Sequence, residues 1–404
     1  MICPSVVQKS RTVAPAASSE DALQKDPVVT TTRTVDTSGD IGGVVEIAVP
    51  NEVVGAEDVL ARKEGDVLAT FIEIDRLQDQ GINVADIQKL KQAGYQTVLS
   101  VLQSTRKELS QLKGFAEAKV EKVLEAAAAL DSSQCSFMTG SILLQRRANI
   151  IRLSTGSVIL DKMLAGGIES SALTEVFGEN RSGKTQICHT LCVTSQLPLD
   201  MGGGNGKVCY IDTEGTFRPE KIARIAERFG LSPEDVLDNI LYARAHTHEH
   251  MTQLICMAAC RMVEESFSLM IIDSIMALFR VEFSGRGDLA ERQQVLGKAL
   301  NRLQKIAEQF NVCVLYTNHV MADPSGAMTM VANPSKPIGG HVLGHASTHR
   351  LQLRIGRGDQ RICKVYDSPC LPATDCVFQL SGKRLPLPHI NPLAADQGVI
   401  DPTD

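Results

Sequence analysis

Gly178-Glu179-Asn180-Arg181-Ser182-Gly183-Lys184-Thr185 has glycines at both ends of a short loop, then a cation and a hydroxyl. That spacing suits a phosphate-binding loop: the glycines let backbone N–H groups converge on a triphosphate, Lys184 supplies a point charge, and Thr185 offers a hydroxyl to Mg²⁺. Leu269-Met270-Ile271-Ile272-Asp273 is an apolar run ending in a carboxylate, the expected partner of such a loop, with Asp273 completing the metal shell opposite Thr185. A second apolar run, Val208 to Asp212, leads into Thr213-Glu214-Gly215, and Glu214 is the candidate base that polarises the attacking water. A solvated turn carboxylate is its bland alternative. A third run ends in Thr317-Asn318-His319, where either Asn318 or His319 could sense the γ-phosphate or serve only structure.

These residues work only if the runs carrying them are parallel strands with their C-terminal ends at one edge. Ala172 to Phe177 reads as the strand entering the phosphate loop, and Gln186 to Cys192 as the helix leaving it. Lys207–Asp212, Ser268–Asp273 and Val312–Asn318 read as further buried strands separated by helical stretches. The alternation predicts an α/β core with a mostly parallel sheet. Before it, Ile82, Ile87, Leu90, Val98, Leu102, Val120 and Val123 recur at helical spacings between Phe71 and Leu130, predicting a small helical domain. Within that domain Leu109 to Phe115 followed by Ala118-Lys119-Val120 resembles a helix-hairpin-helix, with a structural hairpin or a protein contact surface as alternatives. Residues 131–136 read as a polar linker, and Phe137 just beyond it calls either for a partner or for a place on its own domain. The predicted segments are an arm (1–66), the helical domain (67–130), a linker (131–148), the α/β core (149–382) and a tail (383–404).

At 404 residues, 43% apolar and 22% charged, the chain has ample material for these domains. Its eleven cysteines form no C-x-x-C pair, so neither a disulfide framework nor a zinc site is suggested, and a reducing compartment is expected. No apolar run reaches the roughly 18 residues of a membrane helix, so no membrane association is expected, and Met1 to Pro15 lacks the apolar stretch of a secretion signal. The net charge of −6 hides local basic segments. Arg280, Arg286, Arg292, Lys298, Arg302 and Lys305 outnumber Glu282, Asp288 and Glu291, and Phe283 sits among the glycines of the same loop. Arg350, Arg354, Arg357, Arg361 and Lys364 form a second basic stretch. Cations beside a sheet edge suit a polyanion, or simply a solvated surface. Between them, Met321 to Gly340 is a long loop of lid or ligand-ordered character.

The phosphate loop, Tyr210 to Pro219, Phe283 to Gly287 and Tyr366 to Pro372 together resemble the eukaryotic RecA-like strand-exchange recombinases, over about residues 70–382. Ser274 to Phe283 and Leu289 to Gln294 look most like the meiosis-specific branch. The resemblance implies a RecA-like P-loop ATPase core behind a small all-α helix-hairpin-helix domain. By it, Gly178 to Thr185 and Gln186 cradle ATP, Thr185 and Asp273 hold Mg²⁺, and Lys184 and Glu214 carry catalysis. It assigns Lys221 to adenine, and His345, Asp367 and Pro372 to a neighbour's nucleotide, with Asp367 to Pro372 forming a cap. Arg181, Arg280, Phe283, Arg286, Arg292 and Arg361 match DNA contacts, and Met321 to Lys336 the second DNA loop. Phe137, with Gly140, matches an anchor that one subunit inserts into the next. The implied partners are single- and double-stranded DNA, further copies as filament or ring, and recombination accessory proteins, in the nucleus. The sensor assignment moves from His319 to His345. His319 stands where Gln is usual, Lys221 where Arg is, Gly140 where Ala is, and Asn333 and Ser335 where Asp and Lys are. A filament regulator and a hexameric motor of the same fold are the alternative functions.

Overall fold

The apolar runs read from the sequence become adjacent strands of one nine-stranded sheet in the computed structural model, which describes residues 71–131, 137–283, 285, 287–322, 335–381 and 398–400. The predicted arm, Ser284, Arg286, Asn333 and most of the second loop lie outside these residues.

The strands are β1 (Arg152–Leu153), β2 (Ile168–Glu169), β3 (Leu173–Gly178), β4 (Lys207–Asp212), β5 (Ile240–Arg244), β6 (Phe267–Asp273), β7 (Cys313–Asn318), β8 (Val320–Ala322), β9 (Ser335–Pro337), β10 (His349–Ile355), β11 (Gln360–Asp367), β12 (Asp375–Ser381) and β13 (Gly398–Ile400). In the large sheet β10, β3, β7, β6, β4 and β5 run parallel, while β11, β12 and β13 extend it antiparallel. Every residue of β3, β6 and β7 is buried, as expected of parallel strands covered on both faces. The period of two divides them: Leu269 and Ile271 join one apolar layer with Ile187, Leu191 and Ile222, and Met270 and Ile272 the other with Ile255, Leu300 and Leu303.

Parallel pairing sets the register that matters for chemistry. Asp212 pairs with Asp273, and Phe177 with Asn318, so the ends of β3, β4, β6 and β7 meet at one edge.

The helical domain forms from five short elements, Ile74–Gln80, Val84–Gln92, Val98–Leu102, Arg106–Ser110 and Glu117–Leu130. Side chains start three of them: Asn83 accepts from Ala85 N–H, and Thr97 and Thr105 close capping boxes with Ser100 and Glu108. Gly114, at φ 88°, makes the turn between the last two helices, where a side chain would be strained. Ile74, Leu77, Leu90, Val98, Val101, Leu109, Val120 and Val123 fill the core. Gln96 reaches Cys260 Sγ, and Gln103 reaches Glu308, so polar contacts dock this domain on the α/β core.

Two regions differ from the sequence expectation. The linker contains a helix, Gly140–Arg147, because Thr139 accepts the N–H of Ile142 and Ile142 finds a buried place. The tail contributes β13, whose Val399 N–H donates to Thr190 Oγ1 while Arg228 donates to the Val399 carbonyl.

Candidate nucleotide site

The phosphate loop lies between β3 and the helix Lys184–Thr194, as the glycine pattern predicts. Gly178 has no room for a side chain, since a Cβ would fall 2.4 Å from the Leu353 carbonyl oxygen. Gly183 at φ 105° and Arg181 at φ 64° turn the backbone into the helix. Glu179, Asn180 and Arg181 are exposed, whereas Ser182 and Lys184 are buried. Lys184 Nζ donates to the carbonyls of Gly178 and Glu179, at 3.0 and 2.9 Å. Burial lowers the pKa of its ammonium, with Asp273 and Glu214 pulling the other way. Among the described residues, Ser182 Oγ and Gln186 Oε1 are buried without a hydrogen-bond partner. Orphaned polar atoms and a cation inside a glycine cradle fit a polyphosphate.

Asp273 is the hub opposite. Its Oδ2 accepts from Thr185 Oγ1 at 2.8 Å and from Tyr210 OH at 2.9 Å, and its Oδ1 accepts from Thr317 Oγ1. A buried carboxylate beside a threonine hydroxyl is a donor set suited to a hard divalent cation. Sequence reading found Thr185 and Asp273 but missed Tyr210 and Thr317, whose only signal was their place on neighbouring strands.

Asp212, the other acidic strand end, is structural. It accepts the backbone N–H groups of Glu214, Gly215 and Phe217 and pairs with Arg244. In this way a fully buried carboxylate shapes the turn that presents Glu214.

Glu214 Oε1 accepts from Ser274 Oγ at 2.8 Å and lies 2.5 Å from His319 Nε2. The His319 bond, ahead of that from Ser274, holds the Glu214 carboxyl below its usual pKa against the opposing effect of burial. His319, set aside in favour of His345 by the resemblance, is therefore in direct contact with the candidate base. His345 is exposed on the helix Gly340–Ala346, stacked on His341 at 6.0 Å. Asn318 is not a phosphate sensor but a core residue, its Nδ2 donating to Glu175 Oε1 and to the Ile338 carbonyl. Burial raises the Glu175 pKa, while Arg350, donating to its Oε2 at 2.6 Å, opposes the shift. Arg350 was read from sequence as part of a basic surface; it is buried, paired, and packed near the Phe177 and Tyr366 rings.

Lys221 is half-buried on the helix Pro219–Arg228, and burial lowers its pKa. Asp367 and Pro372 are exposed around the turn after β11. Of the candidate DNA residues, Arg181 and Arg280 are exposed, and Phe283 is half-buried against His248 and Phe279. Arg292 is half-buried, and Arg361 donates to the Gly358 and Gln360 carbonyls. Phe137 is 86% exposed and Leu144 72%, so the segment that the resemblance assigns to an anchor presents apolar side chains to solvent. Gly140 is exposed at the start of its helix. Among the described residues no helix is long and apolar enough to cross a membrane.

A family model described as Rad51 matches residues 146–385, and one described as a SAM-like helix-hairpin-helix tandem matches residues 73–129. The chain is 57% identical over 311 residues to the meiotic recombination protein DMC1 homolog B of Oryza sativa subsp. japonica, covering 77% of this chain and 90% of the relative. It is 56% identical over 311 residues to the DMC1 homolog of Lilium longiflorum, covering 77% and 88%. To the DMC1 homolog of Arabidopsis thaliana it is 54% identical over 324 residues, covering 80% and 93%.

Proposed function

The chain belongs to the Rad51 family, and we propose that it is a meiotic recombinase that binds ATP and Mg²⁺, polymerises on single-stranded DNA and exchanges strands with homologous duplex. One observation carries the catalytic part: Lys184, Thr185, Asp273 and Glu214 converge at a single sheet edge, with His319 hydrogen-bonded to Glu214.

In this reading the phosphate loop and Lys184 bind the triphosphate, and Thr185 and Asp273 hold Mg²⁺. The cation, when bound, neutralises phosphate charge and orients the terminal phosphoryl group. Glu214 works through Oε2. Ser274 and His319 engage Oε1, leaving Oε2 to accept the proton of an incoming water. His319 directly follows β7, so the base is hydrogen-bonded to the residue at which the chain leaves that strand. Arg181, Arg280, Phe283, Arg286, Arg292 and Arg361 are proposed to contact DNA through phosphates and an aromatic surface, so sequence is read by base pairing. Phe137 is proposed to insert into a neighbouring copy, a head-to-tail contact that propagates into a filament rather than closing as a dimer. His345 and the Asp367 to Pro372 cap then reach the nucleotide of that neighbour. Work on chromosomal DNA in the nucleus, alongside recombination accessory proteins, follows from the same reading.

The test is purified protein with ATP and Mg²⁺, single-stranded DNA and homologous duplex. Filaments by electron microscopy and joint molecules on gels are expected. Nucleotide binding without joint molecules would point instead to a filament regulator, and ring-bound DNA unwinding to a motor.

A further inference from the structure

We propose that Glu169, His349 and Cys370 form a binding site for a divalent cation of the zinc class, separate from the nucleotide site and able to tie the loop after β11 to β2. Among the described residues, one ligand atom from each of these three side chains lies within 4.8 Å of the others. His349 Nε2 is 4.0 Å from Glu169 Oε2. Carboxylate oxygen, imidazole nitrogen and thiolate sulfur are a donor set for zinc rather than magnesium or calcium, and three protein ligands leave a fourth position for water.

The surroundings support ligation. His349 Nδ1 is hydrogen-bonded to Ser368 Oγ at 3.0 Å, which orients the ring and leaves Nε2 facing Glu169. Ser368 Oγ also accepts the backbone N–H groups of Cys370 and Leu371, at 3.3 and 3.0 Å, so one hydroxyl both steers the imidazole and folds the loop that brings the thiol back. Glu169 and His349 are buried while Cys370 is exposed, and a cleft lined by Arg152, Leu164, Gly167 and Leu371 opens on the three, so a cation has a path in.

Arg147 and Arg152 set the strength of the site. They donate to Glu169 Oε1 and Oε2, at 2.8 and 3.3 Å. Each carboxylate oxygen retains a second lone pair for a metal, but two guanidinium groups repel a dication. The site is therefore a reversible one, weaker than a closed structural zinc site. Binding exchanges the Cys370 S–H bond for a sulfur–metal bond and releases the proton to solvent. Occupation fixes Ser368 to Leu371. That this loop caps a neighbour's nucleotide rests on the proposed function; the metal site does not, so a failed strand-exchange assay and a failed metal titration are separate results.

Cobalt titration of the full-length reduced protein, with Mg²⁺ present, reads the site directly. A thiolate-to-cobalt absorption band is expected, displaced by zinc and lost in Cys370→Ser and in His349→Gln, with zinc raising the melting midpoint of the parent chain but not of Cys370→Ser. Cys370 is exposed, so its variant folds even if the His349 variant does not, which the melting curve without metal reveals. Absence of the band, or a band retained in Cys370→Ser, overturns the proposal.

Discussion

The candidate nucleotide site and the proposed anchor segment are opposite ways of placing side chains. Beside the phosphate loop both carboxylates are engaged within the chain: Asp273 holds Thr185, Tyr210 and Thr317, and Glu214 is gripped by Ser274 and His319. At the proposed anchor, Phe137 and Leu144 lie exposed on a short segment whose helix buries only Ile142. A site built from satisfied hydrogen bonds is pre-organised before its ligand arrives. Exposed aromatic surface, by contrast, gains its stabilisation only when a second surface removes it from water. The first region should therefore respond to substitution within one chain, the second only in the assembly.

The largest effect is expected at Glu214. Glu214→Gln keeps the shape but removes the base, and hydrolysis in single-turnover assays should fall about 10²–10⁴-fold, with nucleotide affinity nearly unchanged. A loss below tenfold would move the base elsewhere.

Next comes the core beneath the site. Arg350→Ala leaves the Glu175 carboxyl buried without its cation, which should cost about 3–5 kcal/mol and lower the melting midpoint. An unchanged midpoint would show that the network joining β3, β7 and β10 contributes little.

Phe137→Ala inverts that pattern. The folded monomer should melt as before, while each filament contact loses roughly 1.5–3 kcal/mol of apolar burial, shortening filaments in electron micrographs. A destabilised monomer with unaltered filaments would assign Phe137 to its own domain.

The smallest effect is a shift in pH dependence. Because hydrogen bonds lower the Glu214 pKa, its carboxylate stays ionised, and active, further into acid than an ordinary carboxylate. The stabilisation from these bonds is present above the unfolded pKa and disappears as pH falls through the folded one. His319→Ala should move the acid limb of the hydrolysis profile upward, by about one pH unit or less. Identical acid limbs would mean that His319 does not tune the base.

Legibility in the sequence tracks how local each constraint is. Gly178 to Thr185 is recognisable because eight consecutive residues must satisfy one ligand, and Asp273 because it ends an unbroken apolar strand. The Glu214 to His319 contact spans 105 residues, and the Glu175, Asn318 and Arg350 network unites three strands; neither leaves a local pattern. The basic reading of Arg350 failed for that reason, since a cation's sequence neighbours do not reveal whether it faces solvent or a buried carboxylate. The helix Gly140–Arg147 was missed because it is short and mostly exposed, with only the Thr139 cap as a signal.

By itself the sequence determined the phosphate loop, the four buried strands β3, β4, β6 and β7, and the carboxylates available at the strand ends, because hydrophobic periodicity and glycine placement act over a few residues. Only the tertiary structure decided that Asp212 shapes a turn, that His319 grips Glu214, and that Cys370 meets His349 and Glu169. Those outcomes depend on parallel-sheet register and on burial, which fix distances between residues far apart in the chain.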